Sequence, residues 1–126
     1  MSVPKIEPRK VLLIVEDDIL IASMVADQLA ELGYVVAGPA YSLEDGKRLA
    51  NDVSIDGALI DVKLERGALS SPIADILIER KIPFLFVTGY NEVPDVRFRN
   101  ISVLPKPFTI EQLRRAIERM LSAVVQ

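Results

Sequence analysis

Two residue types that carry much of protein chemistry are missing from this chain. Its 126 residues include no cysteine and no histidine. The lack of cysteine excludes disulfides and thiolate chemistry, and it fits a reducing compartment. The lack of histidine excludes Ser-His-Asp triads, histidine general bases and most zinc sites. Any chemistry must therefore use carboxylates, lysine, hydroxyls and the backbone.

Long apolar runs and an excess of positive charge are also missing. No run approaches the roughly 20 apolar residues that span a bilayer, and the first ten residues show no signal-peptide pattern. The net charge is −3, and such a surface does not attract phosphate backbones. We therefore expect a cytoplasmic protein that binds neither membranes nor nucleic acid directly.

Half of the residues are apolar, and they fall into short runs that alternate with helical patterns. The runs are rich in branched residues and too short for helices, as is typical of buried parallel strands. They lie at 10–15, 34–40 (interrupted at Gly38-Pro39), 56–61, 84–87 and 101–104. This alternation predicts a single α/β domain with a doubly wound, five-stranded parallel sheet.

The helical patterns between these strands differ in strength. Ser42 and Thr109 have the spacing of N-terminal caps, and an amphipathic stripe follows Thr109 to the end of the chain. Residues 90–100 are polar and contain Pro94, so they predict at most one or two turns. We therefore expect a short or poorly ordered fourth helix.

Polar residues follow four of the five predicted strands. Glu16 and Asp17 follow the first strand, Asp61 ends the third, Thr88 ends the fourth, and Lys106 follows the fifth. The carboxyl ends of parallel strands meet at one edge of the sheet, where ligands bind in such folds. Clustered carboxylates require a proton or a cation, and Mg²⁺ accepts carboxylate, water and phosphate oxygens. The set therefore favours phosphoryl transfer to a carboxylate.

Single members of this set also have simpler interpretations. Asp18 is better explained as a helix N-cap. Thr88 alone would be a turn residue, and Lys106 alone a solvated charge. Asp61 is harder to explain away, because an acid that closes a buried apolar strand needs a partner.

Four stretches of the chain resemble the receiver domains of two-component response regulators. They are Val-Leu-Leu-Ile-Val-Glu-Asp-Asp (11–18), Ala-Leu-Ile-Asp (58–61), Phe-Val-Thr-Gly (86–89) and Leu-Pro-Lys-Pro-Phe (104–108). The resemblance implies a flavodoxin-like (βα)5 fold, with an N-terminal extension at 1–9, a receiver domain at 10–126 and no output domain. It implies these roles: Asp61 as phospho-acceptor, Asp17 as direct Mg²⁺ ligand, Glu16 as its partner through water, Lys63 as a backbone-carbonyl ligand, Thr88 as switch hydroxyl and Lys106 as phosphate-pairing lysine, with a cis peptide before Pro107.

Two departures narrow the resemblance. Val103 stands where most receivers carry Tyr or Phe, and the segment between Thr88 and Lys106 is short. With Pro-Phe-Leu-Phe-Val-Thr-Gly-Tyr at 83–90, these features resemble the FATGUY subgroup, found with HWE-type histidine kinases. We therefore expect phosphorylation to order residues 89–100, in place of the usual threonine–aromatic switch.

The resemblance implies a signalling switch rather than an enzyme, although one that assists its own phosphorylation and dephosphorylation. A sensor histidine kinase or phosphotransfer protein would supply the phosphoryl group, and the product would dock on an unknown downstream protein or act as a phosphate sink. One alternative is a pseudo-receiver that binds partners without phosphorylation. Another is a Mg²⁺-dependent phosphohydrolase, although that class places a second acid where this chain has Lys63.

Overall fold

Five parallel strands form one sheet in the computed structural model, which describes residues 8–89 and 92–123. The order of the strands across the sheet is β2-β1-β3-β4-β5, and each neighbouring pair is parallel. The strands are β1 (Val11–Val15), β2 (Val35–Ala40), β3 (Gly57–Asp61), β4 (Phe84–Thr88) and β5 (Val103–Pro105). The predicted doubly wound α/β class is confirmed.

Four α-helices cover the two faces of the sheet. They are α1 (Ile19–Glu31), α2 (Leu43–Asp52), α3 (Ser71–Glu79) and α4 (Ile110–Ser122). Helices α2 and α3 pack on one face, and α1 and α4 pack on the other. No helix in the described part of the chain is long and apolar enough to cross a membrane.

Burial on both faces explains the continuous apolar runs of the strands. In β1, Leu13 and Val15 join the core under α2 and α3, whereas Leu12 and Ile14 join the core under α1 and α4. Every residue of β3 and β4 is buried. A strand with one solvated face would instead alternate apolar and polar residues.

Side-chain caps begin α1, α2 and α4 where the sequence predicts them, whereas α3 begins without a side-chain cap. The Asp18 carboxylate accepts hydrogen bonds from the Leu20 and Ile21 N–H groups, at 3.0 and 3.1 Å. Thr109 and Gln112 form a complete capping box at the start of α4. The cap on α1 is functionally relevant because it fixes the turn that carries the two acids after β1.

The second strand and the fourth helix were the least regular elements predicted from the sequence. The predicted break at Gly38-Pro39 takes the form of a shift of register: β2 continues to Ala40, but its pairing with β1 is irregular there. Proline is tolerated there because β2 is an edge strand. The weak fourth helix is reduced to one 3-10 turn, Val96–Phe98. The rest of that prediction includes residues 90 and 91, which lie outside the described residues.

Candidate functional site

The predicted polar residues meet at the carboxyl edge of the sheet. Asp61 ends β3, which lies between β1 and β4, so it occupies the centre of the edge. Glu16 and Asp17 follow β1 directly. One carboxylate oxygen from each of these three acids lies within 4.8 Å of the others. Adjacent parallel strands thus bring together acids that are 44 to 45 residues apart in sequence.

Lys106 reaches into this acidic cluster from the end of β5. Its ammonium donates a hydrogen bond to Glu16 Oε1 at 2.6 Å and to Asp61 Oδ2 at 3.3 Å. Its backbone N–H donates to the Thr88 carbonyl at 2.8 Å, which fixes the chain beside β4. The Lys106–Pro107 peptide is cis, as the sequence resemblance implied.

One oxygen of Asp61 is poorly satisfied. Oδ1 is buried and, among the described residues, accepts no hydrogen bond, although the Lys106 Nζ lies 3.0 Å away. A buried carboxylate oxygen without a hydrogen bond is costly. A hard cation beside Asp17 and Asp61 would remove this cost. The donor set therefore fits Mg²⁺, which binds one or two carboxylates in most protein sites.

The environment shifts the pKa values of the three acids in different directions. Burial raises the pKa of Asp61 from 3.8 to about 8, and the Glu16 carboxylate adds to the rise against the opposing effect of Lys106. Burial and Glu16 also raise the pKa of Asp17. Burial alone would raise the pKa of Glu16, but hydrogen bonds with Asp61, Lys106 and the Asp18 N–H outweigh it and lower the pKa. In the metal-free site, these shifts favour the protonated form of Asp61 at neutral pH.

The ammonium of Lys106 remains charged in this setting. Burial would lower its pKa, but the hydrogen bonds and ion pairs with Glu16 and Asp61 outweigh burial and raise it. The site therefore offers a permanent positive charge as well as carboxylates. Both are needed at a centre that receives a phosphoryl group.

Thr88 and Lys63 lie beside the cluster, and within 8–89 and 92–123 no side-chain hydrogen bond defines the role of either residue. Thr88 is buried at the end of β4, one residue after the position that pairs with Asp61 in the sheet. Lys63 lies two residues after Asp61, with an exposed side chain, and forms an isolated antiparallel bridge with Leu69. The switch role of the threonine hydroxyl and the metal role of the lysine carbonyl stay predictions.

One polar contact beside the site was not predicted from the sequence. The Gly89 N–H donates a hydrogen bond to Glu92 Oε1 at 2.7 Å, and the Glu92 N–H donates to the Gly89 carbonyl at 3.2 Å. The spacing of three residues resembles that of a capping box, which is the only signal that could have revealed it.

On β5, Val103 is 43% exposed and occupies the position of the missing aromatic.

The chain is similar to several known proteins, although no family model matches it. It is 34% identical over 119 residues to the transcriptional regulatory protein PdtaR of Mycobacterium tuberculosis, covering 91% of this chain and 58% of PdtaR. The chain therefore spans little more than half the length of that curated relative.

Two solved structures match over almost their whole length. SdrG from Sphingomonas melonis Fr1 is 38% identical, with a TM-score of 0.82 over 90% of this chain and 97% of SdrG. The signal receiver domain of a modulated diguanylate cyclase from Desulfovibrio desulfuricans G20 is 32% identical, with a TM-score of 0.77 over 90% of this chain and 94% of that domain. With its fold, its edge of acids and lysine and these relatives, the chain belongs to the response-regulator receiver domain family.

Proposed function

We propose that this chain is a phosphorylation switch in which Asp61 accepts a phosphoryl group in a Mg²⁺-dependent reaction. Receiver domains in general are signalling switches that interact with histidine kinases or phosphotransfer proteins. The observation that best supports the proposal is the buried Asp61 carboxylate, which lies between two further acids and an ammonium group. Each group has a use in phosphoryl transfer, whereas buried acids held close together are unfavourable without a proton or a cation.

The residues of the site would have different roles in the reaction. An Asp61 oxygen attacks the phosphorus of the donor, and the bond between phosphorus and the donor's oxygen or nitrogen breaks, with the electron pair leaving on the donor. Asp17, Asp61 and the Lys63 carbonyl would hold Mg²⁺, with Glu16 acting through water. When bound, Mg²⁺ would neutralise the acids and favour the ionised form of Asp61.

Lys106 and Thr88 would receive the transferred group. Lys106 already lies within 3.3 Å of both Asp61 oxygens, so a small movement would bring its ammonium onto a phosphoryl oxygen. Thr88 would donate its hydroxyl from the adjacent strand. The same groups would position water for dephosphorylation, so the domain assists its own resetting. Phosphorylation would also order residues 89–100 in a new arrangement, as the resemblance to the FATGUY subgroup implies.

The proposed partners follow from the same chemistry. A sensor histidine kinase, of the HWE type by resemblance to the FATGUY subgroup, or a phosphotransfer protein would provide the phosphohistidine in the cytoplasm. The phosphorylated domain would then dock on a downstream protein or act as a phosphate sink. The pseudo-receiver is the second candidate, favoured by the exposed Val103 in place of an aromatic.

Intact mass spectrometry with acetyl phosphate separates the two candidates. The wild-type protein should gain one phosphoryl mass with Mg²⁺ and none with EDTA, and Asp61→Asn should gain none in either case. Asp27→Asn, which removes an exposed acid from α1, is the matched control and should behave as wild type. If folded wild-type protein neither gains the mass nor binds beryllofluoride with Mg²⁺, the pseudo-receiver is correct.

A further inference from the structure

The backbone amide after β4 already holds an anion next to the proposed phosphorylation site. The Gly89 N–H donates to the Glu92 carboxylate at 2.7 Å, which is the short distance of a charge-assisted hydrogen bond. A second hydrogen bond joins the same two residues, from the Glu92 N–H to the Gly89 carbonyl. A side chain on residue 89 would collide with the carboxylate, so glycine is required for this close approach.

The direction of this N–H follows from the hydrogen bonds of the strand. In a parallel strand, the N–H and C=O groups of one residue point to the same neighbouring strand. Those of the next residue point to the strand on the opposite side. The Val87 carbonyl accepts the Val62 N–H on the β3 side, at 3.3 Å, and the Thr88 carbonyl accepts on the β5 side. By this alternation, the Gly89 N–H is the next donor on the β3 side, where Asp61 ends the neighbouring strand.

The surroundings of Glu92 support the same placement. Glu92 lines a shallow cavity together with Val62 and Lys63, the two residues that follow Asp61. Its carboxylate therefore lies on the side of β4 from which the phosphoryl group would approach. That group brings about two negative charges, and they would repel a carboxylate bound to an adjacent donor.

From this geometry we infer that Glu92 is an internal anion that occupies the Gly89 N–H and competes with the phosphoryl group for it. This inference rests on the proposed function of Asp61. Phosphorylation displaces the Glu92 carboxylate, the Gly89 N–H turns to a phosphoryl oxygen, and the two hydrogen bonds between Gly89 and Glu92 break. Glu92 is thus a positioning residue, because it acts through the Gly89 amide.

The neighbouring contacts limit how far this opening extends. Arg97 forms a bidentate pair with Asp75 of α3, at 2.7 and 3.1 Å, and Phe98 is buried in the core. These contacts hold the 3-10 turn in place while residues 92–95 move. The change therefore reaches the surface at Val93, which is 79% exposed.

Beryllofluoride binding in the presence of Mg²⁺ tests the inference. Glu92→Gln removes the charge but keeps the acceptor, and Glu92→Ala removes both. Each should bind beryllofluoride more tightly than wild type, by about 3- to 10-fold for Glu92→Ala, because the competing charged hydrogen bond is lost. Glu79→Gln removes one charge from an exposed position on α3 and should leave the affinity unchanged.

Two further readouts separate displacement from a general effect on charge. Gly89→Ala keeps the N–H but expels the Glu92 carboxylate, so it should also tighten binding in a protein shown to be folded by circular dichroism. In the metal-free protein, the Gly89 amide should exchange its hydrogen faster in Glu92→Ala than in wild type, because the hydrogen bond protecting it is gone.

The outcomes distinguish this inference from the proposed function. Equal affinities of wild type and both Glu92 variants would overturn the role of Glu92 and leave the receiver chemistry intact. Weaker binding by Glu92→Gln would also overturn it. If neither wild type nor Glu92→Ala binds beryllofluoride, the proposed function fails and this inference with it.

Discussion

Replacing Asp61 with asparagine should stabilise the metal-free protein, although the residue is the centre of the proposed site. Burial and Glu16 raise its pKa from 3.8 to about 8. Between pH 3.8 and about 8, Asp61 is therefore protonated in the folded state and ionised in the unfolded state. Stability falls as pH rises from 3.8 towards 8, because unfolding releases that proton. Asparagine does not titrate and removes this loss.

The size of the effect follows from the pKa difference. Each unit is worth about 1.4 kcal/mol, so the full window gives a ceiling of about 6 kcal/mol near pH 8. Relaxation and water entry reduce this value in real sites, and we expect Asp61→Asn to raise the free energy of unfolding by about 1–3 kcal/mol. Near pH 3 the advantage should vanish, because Asp61 is then protonated in the folded state and largely protonated in the unfolded one.

Urea unfolding followed by circular dichroism measures this difference. Wild type and Asp61→Asn are compared at several pH values between 5 and 8.5 with EDTA, because bound metal would favour the ionised aspartate. Asp27→Asn, on the exposed face of α1, controls for the loss of one negative charge. A constant difference across this pH range, or a less stable Asp61→Asn at pH 8, would refute our account of the site.

Two other predictions concern the metal and the framework. Mg²⁺ should raise the Tm of wild type in proportion to the logarithm of its concentration, because a ligand that binds only the folded state stabilises it. This shift should be lost in Asp17→Asn, and an undiminished shift would exclude Asp17 as a ligand. Arg80 donates to the Ala50 and Val53 carbonyls at the end of α2, so Arg80→Met should cost about 1 kcal/mol in urea unfolding. Arg48→Met, which breaks only an exposed pair, should cost less.

The location of the site was predictable because it depends on topology. Once the apolar runs are taken as parallel strands, the acids after β1 and β3 must meet at one edge. Lys106 was also expected there. Its hydrogen bond to Glu16 was not predicted, because the sequence does not show which acid a lysine selects in the absence of phosphate.

The errors concern details that depend on neighbouring strands and on turn conformation. The sequence predicted that Gly38-Pro39 would break β2, but the edge position of β2 limits the effect to a shift of register, and the strand continues to Ala40. The contact between Gly89 and Glu92 depends on the direction of the Gly89 N–H, which a pattern of side-chain types does not specify.

Borohydride trapping tests the central claim most directly, because it identifies the residue that carries the phosphoryl group. Borohydride reduces an aspartyl phosphate to homoserine with release of phosphate, and peptide mass spectrometry then locates the homoserine. After incubation with acetyl phosphate and Mg²⁺, we predict homoserine at position 61 and none with EDTA. Homoserine at another acid, or a phosphoryl group on Thr88 that survives reduction, would contradict the account.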